Sequence, residues 1–258
     1  HGCKFLMRSK HFDRLFRGFR NKGNVEYYST ESSELYLRTN DGIIVKTDTY
    51  YAVFLEIFVN QIYMLPPWTS LRDFVVFDVG MNRGYATLYF ANKTHCRHVY
   101  GFELVGSTYR YALENISLNP QLCSKITTYN YGLWDEDAIV DIAEDGIDGH
   151  SSVLSNTPLG GARCLVKRSS AVFRSLFELI ECNCLKVLKI DVEGAEYTIF
   201  DNLSREGLMV KFDIIVGEYH DGIDRLYPYL SDFYLSYNSP LIGSIGEMVF
   251  INKRLYVE

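Results

Sequence analysis

Four acids in this sequence each close a short apolar run. Asp78 follows FVVF, Glu103 follows VYGF, Asp191 follows LKVLKI and Glu218 follows DIIVG. In an open α/β sheet, ligands bind outside the carboxyl ends of the strands. Acids at those ends are therefore placed to meet a ligand. Asp78 opens the segment Asp78-Val79-Gly80-Met81-Asn82-Arg83-Gly84. Gly80 and Gly84 let the backbone turn sharply and let a ligand come close. The pattern Gly-x-Asn-x-Gly differs from the Gly-x-Gly-x-x-Gly of dinucleotide binders. The acid before the turn would repel a phosphate and suits a positively charged or hydroxyl-bearing ligand.

Glu103 comes 25 residues after Asp78. An acid at the end of a second strand can take both ribose hydroxyls in a bidentate contact. Together the two acids describe a nucleoside site without a phosphate clamp, which is what S-adenosylmethionine requires. A second group lies further along. Alternation puts Asp191 and Glu193 on one side of the chain, and Glu218 and His220 likewise. Neighbouring strands would bring up to three carboxylates and one imidazole to the mouth of a pocket. Histidine is well suited to general-base work near neutral pH. His220 is expected as the base, with Glu218 or Asp191 orienting it or the acceptor. In the alternative, Glu196 caps a helix and His220 is a loop histidine. Asp191, Glu218 and His220 would also suit a divalent cation such as Mg²⁺ or Mn²⁺; the reading without a metal is preferred.

The elements that position these residues follow from the pattern. Runs at 74–80, 98–104, 125–131, 185–191 and 212–218 read as buried parallel strands. Helical stretches at 85–92, 107–118, 171–181 and 195–203 separate them. Residues 232–237 and 247–252 are two strands with no room for a helix between them, so they must be antiparallel. The fold class is therefore α/β, with helices on both faces of a mostly parallel sheet and an antiparallel terminal hairpin. Upstream, 35–46 alternates about Asn40-Asp41-Gly42, a hairpin signal. Residues 50–63 read as a buried helix closed by Pro66 and Pro67. The expected division is an appendage over 1–66 and a catalytic domain over 67–258. The Asp-, Gly- and Ser-rich stretch 144–152, with His150, has the character of a lid.

VFDVGMNRGYATLYF, VYGFELVGSTYRYALENISLN, YGLWDED and LKIDVEGAEYTIFDNL together resemble the FkbM-type methyltransferases, within the class I S-adenosylmethionine-dependent group. The resemblance covers about residues 72–220, and KIDVEGAE at 189–196 is its most specific part. Leu104, where the family commonly has proline, and Met81, often alanine, depart from the pattern. The resemblance implies a Rossmann-like, seven-stranded class I fold. It places Asp78, Gly80, Met81, Asn82, Gly84 and Tyr85 around the methionine part of the cofactor. Glu103, beside Leu104, would hold the ribose. Gly132, Leu133, Trp134 and Asp135 would border the adenine, and Asp191 is expected among the cofactor-binding residues. The expected function is O-methylation of a hydroxyl on a glycan or other polyhydroxylated small molecule. The alternative is a cofactor-binding module of the same fold that serves recognition or assembly.

Composition narrows the field. The 258 residues include 38 aromatics, 15% of the chain, which argues against disorder. No apolar run approaches the roughly 18 residues of a membrane helix. A net charge of −6 makes a nucleic-acid partner unexpected. The charge is uneven. Residues 1–22 hold seven basic side chains against Asp13 alone, or +6, so the rest carries −12. This basic, Phe-containing leader could touch a membrane surface or an anionic partner, or simply pack as a terminal helix. The chain begins at His1, which suggests that upstream residues were removed. Six cysteines without a CxxC pair read as reduced thiols, and so as a cytoplasmic, reducing compartment.

Overall fold

The computed structural model describes residues 25–29, 35–47, 51–142, 162–180 and 183–256. The basic leader over 1–22 and the lid-like stretch over 144–152 lie outside the described residues. Strands β1 (Val25–Ser29), β2 (Leu35–Thr39) and β3 (Ile44–Thr47) form a small antiparallel sheet. The expected Asn40-Asp41-Gly42 turn joins β2 to β3, with Gly42 at φ +91°. Helix α1 (Tyr51–Phe54) runs straight into a wider π-helical turn, Leu55–Asn60, which Gln61 ends in the left-handed region. The expected helix over 50–63 is thus shorter and changes width part-way. The wider turn packs Phe54 against Phe58, ring centroids 4.7 Å apart, and buries both on the helix after the first central strand.

That central strand is β4 (Phe74–Val79), buried along its whole length. It is followed by α2 (Tyr85–Ala91), β5 (Cys96–Phe102), α3 (Gly106–Ser117) and β6 (Ile126–Tyr129). Short strands β7 (Gly132–Trp134), β8 (Ala138–Ile142) and β9 (Ala162–Arg168) make a separate three-stranded sheet in the order β7-β9-β8. The chain continues through α4 (Ser169–Glu178), β10 (Leu185–Ile190), α5 (Glu196–Arg205) and β11 (Ile214–Tyr219). It then forms β12 (Phe233–Pro240) and β13 (Gly246–Asn252). The main sheet has the order β12-β13-β11-β10-β4-β5-β6. Strand β13 alone runs antiparallel, inserted between β11 and β12. This is the expected class I arrangement, with strand four of the parallel set beside strand one.

Alternation along β4 splits the core. Phe74 and Val76 join one buried cluster with α2, the π turn and the β2–β3 hairpin. Val75, Phe77 and Val79 join the other with α4 and α5. In the second cluster the rings of Phe77, Phe173 and Phe212 meet edge to face at 5.1–5.8 Å. Burying one such ring contributes about 2–3 kcal/mol. Two asparagines of the α3 region tie the hairpin to the sheet. Asn115 Oδ1 accepts from the Lys46 N–H at 2.7 Å, and Asn119 Oδ1 from the Ile44 N–H at 2.8 Å. Asn115 also donates to the Arg83 carbonyl at 2.9 Å. Both asparagines are fully buried, so β3 has its edge backbone groups satisfied by side chains. The described cysteines, Cys96, Cys123, Cys164 and Cys184, are free thiols. Among the described residues, no helix is long and apolar enough to cross a membrane.

Candidate functional site

A cavity of about 860 Å³ opens at the carboxyl ends of the central strands. Its floor is the turn after β4. The Gly80 and Met81 N–H groups both donate to the Phe102 carbonyl, at 3.1 and 2.8 Å. Gly80 has φ +81°, and a Cβ there would sit 1.8 Å from the Asp191 carbonyl oxygen. The turn can therefore lie against β10 only with glycine at this position. Asn82 also adopts positive φ, +50°, a region asparagine tolerates. Glu103 joins two loops at this end. Its carboxylate accepts from the Asn82 N–H at 2.8 Å and the Val105 N–H at 2.9 Å. Burial pushes its pKa up to about 7, and the two N–H donors pull the other way.

Gly80, Met81, Asn82, Tyr85, Glu103 and Leu104 all line the cavity, as do Gly132, Leu133, Trp134 and Asp191. Asp78 and Gly84 stand behind this wall. Asp78 is fully buried. It accepts from the Thr87 hydroxyl at 2.6 Å and pairs with Lys189 Nζ at 3.1 Å. Lys189 in turn donates to the Gly80 carbonyl at 2.7 Å. Asp78 thus fixes the glycine turn from below. Burial alone would lower the Lys189 pKa, but the charges of Asp78 and Asp191 raise it overall, so this buried lysine is a cation. Gly84, at φ +80°, packs against Ala112 of α3.

The second group converges as the alternation implies. Asp191, Glu193 and Glu218 line the cavity. His220 lies just behind them, with Nε2 3.4 Å from Glu193, 3.8 Å from Asp191 and 3.9 Å from Glu218. Its orienting partner is Glu196, which is fully buried at the start of α5 and meets Nδ1 at 2.7 Å. Glu196 also accepts from the Val192 N–H at 3.2 Å. Burial would lower the His220 pKa, yet the Glu196 hydrogen bond and the surrounding carboxylates raise it to about 9. His220 is therefore an imidazolium at neutral pH. Glu218 moves to about 8, raised by burial and by Asp191, with His220 and Lys189 opposing. Asp191, Glu193 and His220 offer ligand atoms within 4.8 Å of one another.

Three further side chains complete the site. Tyr63, beyond the π turn, donates to Asp191 Oδ2 at 2.9 Å. Glu56 and Glu247 also line the cavity. Lys189 carried a signal in the sequence, because a lysine in a buried strand needs a carboxylate partner. Glu196 sits within KIDVEGAE and was readable only as a cap. Tyr63 and Glu247 reach the site by long-range packing and have no local signature.

The methyltransferase FkbM domain matches residues 78–237, more than half of the chain. The chain belongs to the FkbM methyltransferase family. The motifs at 72–92 and 189–196 thus carry a true family resemblance. Among solved structures, the FkbM methyltransferase of Methylobacillus flagellatus aligns over 69% of this chain and 43% of its own length, with 12% identity and a TM-score of 0.44. TrmK of M. capricolum, with S-adenosylhomocysteine, aligns over 75% of this chain and 66% of its own, just under two thirds, with 14% identity and a TM-score of 0.45. The Streptococcus pneumoniae protein Sp1610, with S-adenosyl-L-methionine, aligns over 73% of each chain, with 15% identity and a TM-score of 0.43. Likenesses this distant carry no argument about what the FkbM-family chain acts on. No curated protein matches it.

Proposed function

We propose that this FkbM-family chain transfers a methyl group from S-adenosylmethionine to a hydroxyl of a small polyhydroxylated or glycan acceptor. Three observations support the cofactor. The Gly80 turn, packed against Asp191 as only glycine allows, lines the cavity at the carboxyl end of β4. Glu103 faces the cavity nearly fully buried, suited to a pair of ribose hydroxyls. The cavity volume is at the large end for small-molecule sites, roughly 300–1,000 Å³, with room for a cofactor and part of an acceptor. Gly80, Asn82 and Glu103 would hold the cofactor, with Trp134 and Leu133 beside its base. When bound, S-adenosylmethionine supplies a methyl group on a positively charged sulfur, an electrophile that needs an aligned nucleophile.

The observation that carries the catalytic reading is the group formed by Asp191, Glu193, Glu218 and His220 at the ends of β10 and β11. Cofactor binding alone does not require it, which favours an enzyme over a recognition module. His220, already a cation, is not poised to take a proton. Glu218 faces the cavity, and its pKa of about 8 lies near the working pH, where a general base is most effective. Glu218 would take the hydroxyl proton. His220, held by Glu196, stabilises the carboxylate that receives it, and Asp191, held by Tyr63, orients the acceptor. No divalent cation enters this scheme. The test is transfer of labelled methyl to a panel of carbohydrates and polyols. Turnover should rise with pH through about 8 as Glu218 ionises, and Glu218→Gln should remove that dependence with S-adenosylhomocysteine affinity nearly unchanged. A variant that keeps full turnover would sink the base assignment.

A further inference from the structure

The cavity carries acids that the methyl-transfer scheme does not use. Its wall carries the carboxylates of Glu56, Glu103, Asp191, Glu193, Glu218 and Glu247 against two cations, Arg83 and Lys189. Glu103 belongs to the cofactor end, and Lys189 is matched by Asp78 at 3.1 Å. The imidazolium of His220 is matched by Glu196 at 2.7 Å. Asp191, Glu193 and Glu218 share the His220 imidazolium, whereas Glu247 joins the cavity from β13.

Two of those acids face each other. Glu218 of β11 and Glu247 of β13 are direct cross-strand partners, and both line the cavity. Side chains of such a pair share one face with Cβ atoms about 4.5–5.5 Å apart, and like charges there destabilise a sheet. A positive group between them would be attracted to both carboxylates and would offset their mutual repulsion when both are ionised. Tyr237 lies beside them. Its hydroxyl is 3.4 Å from Glu247 Oε2, and its ring lines the same cavity. Aromatic faces attract ammonium groups. The π-turn segment lines the cavity with Val53, Ile57, Ile62 and Leu65, beside the polar Glu56, Asn60 and Gln61.

We propose that the acceptor is a hydroxyl-bearing amine, whose protonated ammonium group seats among Glu218, Glu247 and Tyr237 while its apolar body lies along the π-turn wall. The proposal rests on the reading that this cavity holds S-adenosylmethionine. It disfavours anionic acceptors, phosphate-bearing ones included.

The test uses the full chain saturated with S-adenosylhomocysteine and three probes with one body: aminohexanol, hexanediol and hydroxyhexanoate. Calorimetry at neutral pH should find aminohexanol bound at least about tenfold more tightly than hexanediol, as one charge-assisted contact implies, with hydroxyhexanoate weakest. Glu247→Gln should abolish most of that preference while leaving S-adenosylhomocysteine affinity intact, which also shows that the variant is folded. Equal binding of amine and diol, or an undiminished preference in the variant, would overturn the proposal. So would Mg²⁺ that binds the loaded protein and displaces aminohexanol, because the occupant would then be a divalent cation. Failure of S-adenosylhomocysteine itself to bind would defeat the underlying cofactor reading, a result distinct from the others.

Discussion

Single side chains in this molecule carry chemistry that their neighbours make possible. Glu103 is raised to about 7 by burial, and only its ionised form accepts two hydroxyl hydrogen bonds. Affinity for S-adenosylhomocysteine should therefore tighten as pH rises through about 7. Glu103→Gln should weaken binding by about 2–3 kcal/mol and flatten that profile, measured by calorimetry across pH. Glu193 has φ +53°, where a side chain other than glycine or asparagine is strained by roughly 1–2 kcal/mol. Glu193→Gly should relieve the strain but give up the 3.4 Å contact with the His220 imidazolium, so Tm should change little while turnover falls. A large Tm shift in either direction in a differential scan would refute that balance. His220 and Glu218 link stability to pH in the same direction. Each has a folded pKa above its ordinary value, 6.5 to about 9 and 4.5 to about 8. Each stabilises fully below its ordinary pKa, and that stabilisation is lost as pH rises through the folded one. These two groups should lower Tm from about pH 4.5 up to about 9, Glu218 between 4.5 and 8 and His220 between 6.5 and 9, and Glu218→Gln should make the fall shallower below about pH 8. The acids themselves were legible in the sequence, because an apolar run ending in Asp or Glu marks a strand end. Their charge states were not, because those depend on which carboxylates the sheet order makes neighbours.

At the scale of elements, strands and turns are held in place by a few buried polar ties. Lys189 bridges β10 to the turn after β4 through Asp78 and Gly80. Lys189→Met would leave Asp78 buried and uncompensated, at a cost of about 3–5 kcal/mol. Chemical denaturation should show that loss, together with a loss of cofactor affinity as the turn relaxes. Gly80→Ala should act more locally on stability and more severely on binding, because its Cβ meets the β10 backbone. Asn119 satisfies both the Ile44 N–H and carbonyl. The sequence marked this residue only as the end of a helix before Pro120. Its role depends on a hairpin 75 residues away, and no local pattern encodes such a tie. The helix over 50–63 was legible from its apolar residues, but not the switch to a π turn. Across that switch Phe54 and Phe58 pack on Tyr85 and Tyr89 of α2.

For the whole molecule, the alternation of apolar runs and helices sufficed to place the seven strands and the antiparallel pair. It did not show that Leu37, Ile43, Val45, Phe54, Ile57, Phe58 and Tyr63 share one buried cluster with β4 and α2, because clusters are assembled from distant segments. The same segment also supplies Tyr63 and Glu56 to the cavity. A chain truncated to start at residue 67 should therefore unfold without a cooperative transition and bind no S-adenosylhomocysteine. A sharp calorimetric transition would show that the segment is dispensable. The sheet order has a further consequence for how the molecule is made. Strand β12 touches the sheet only through β13, which follows it in the chain. During synthesis β12 must wait at the edge, unpaired, until residue 252 has cleared the ribosome and β13 can slip in beside β11. Glu247 arrives with that strand, so the acidic face of the cavity closes last. A nascent chain stalled before residue 246 should hold the glycine turn and Glu103 but lack both its edge and half of its paired acids, and would be a substrate for chaperones rather than for cofactor.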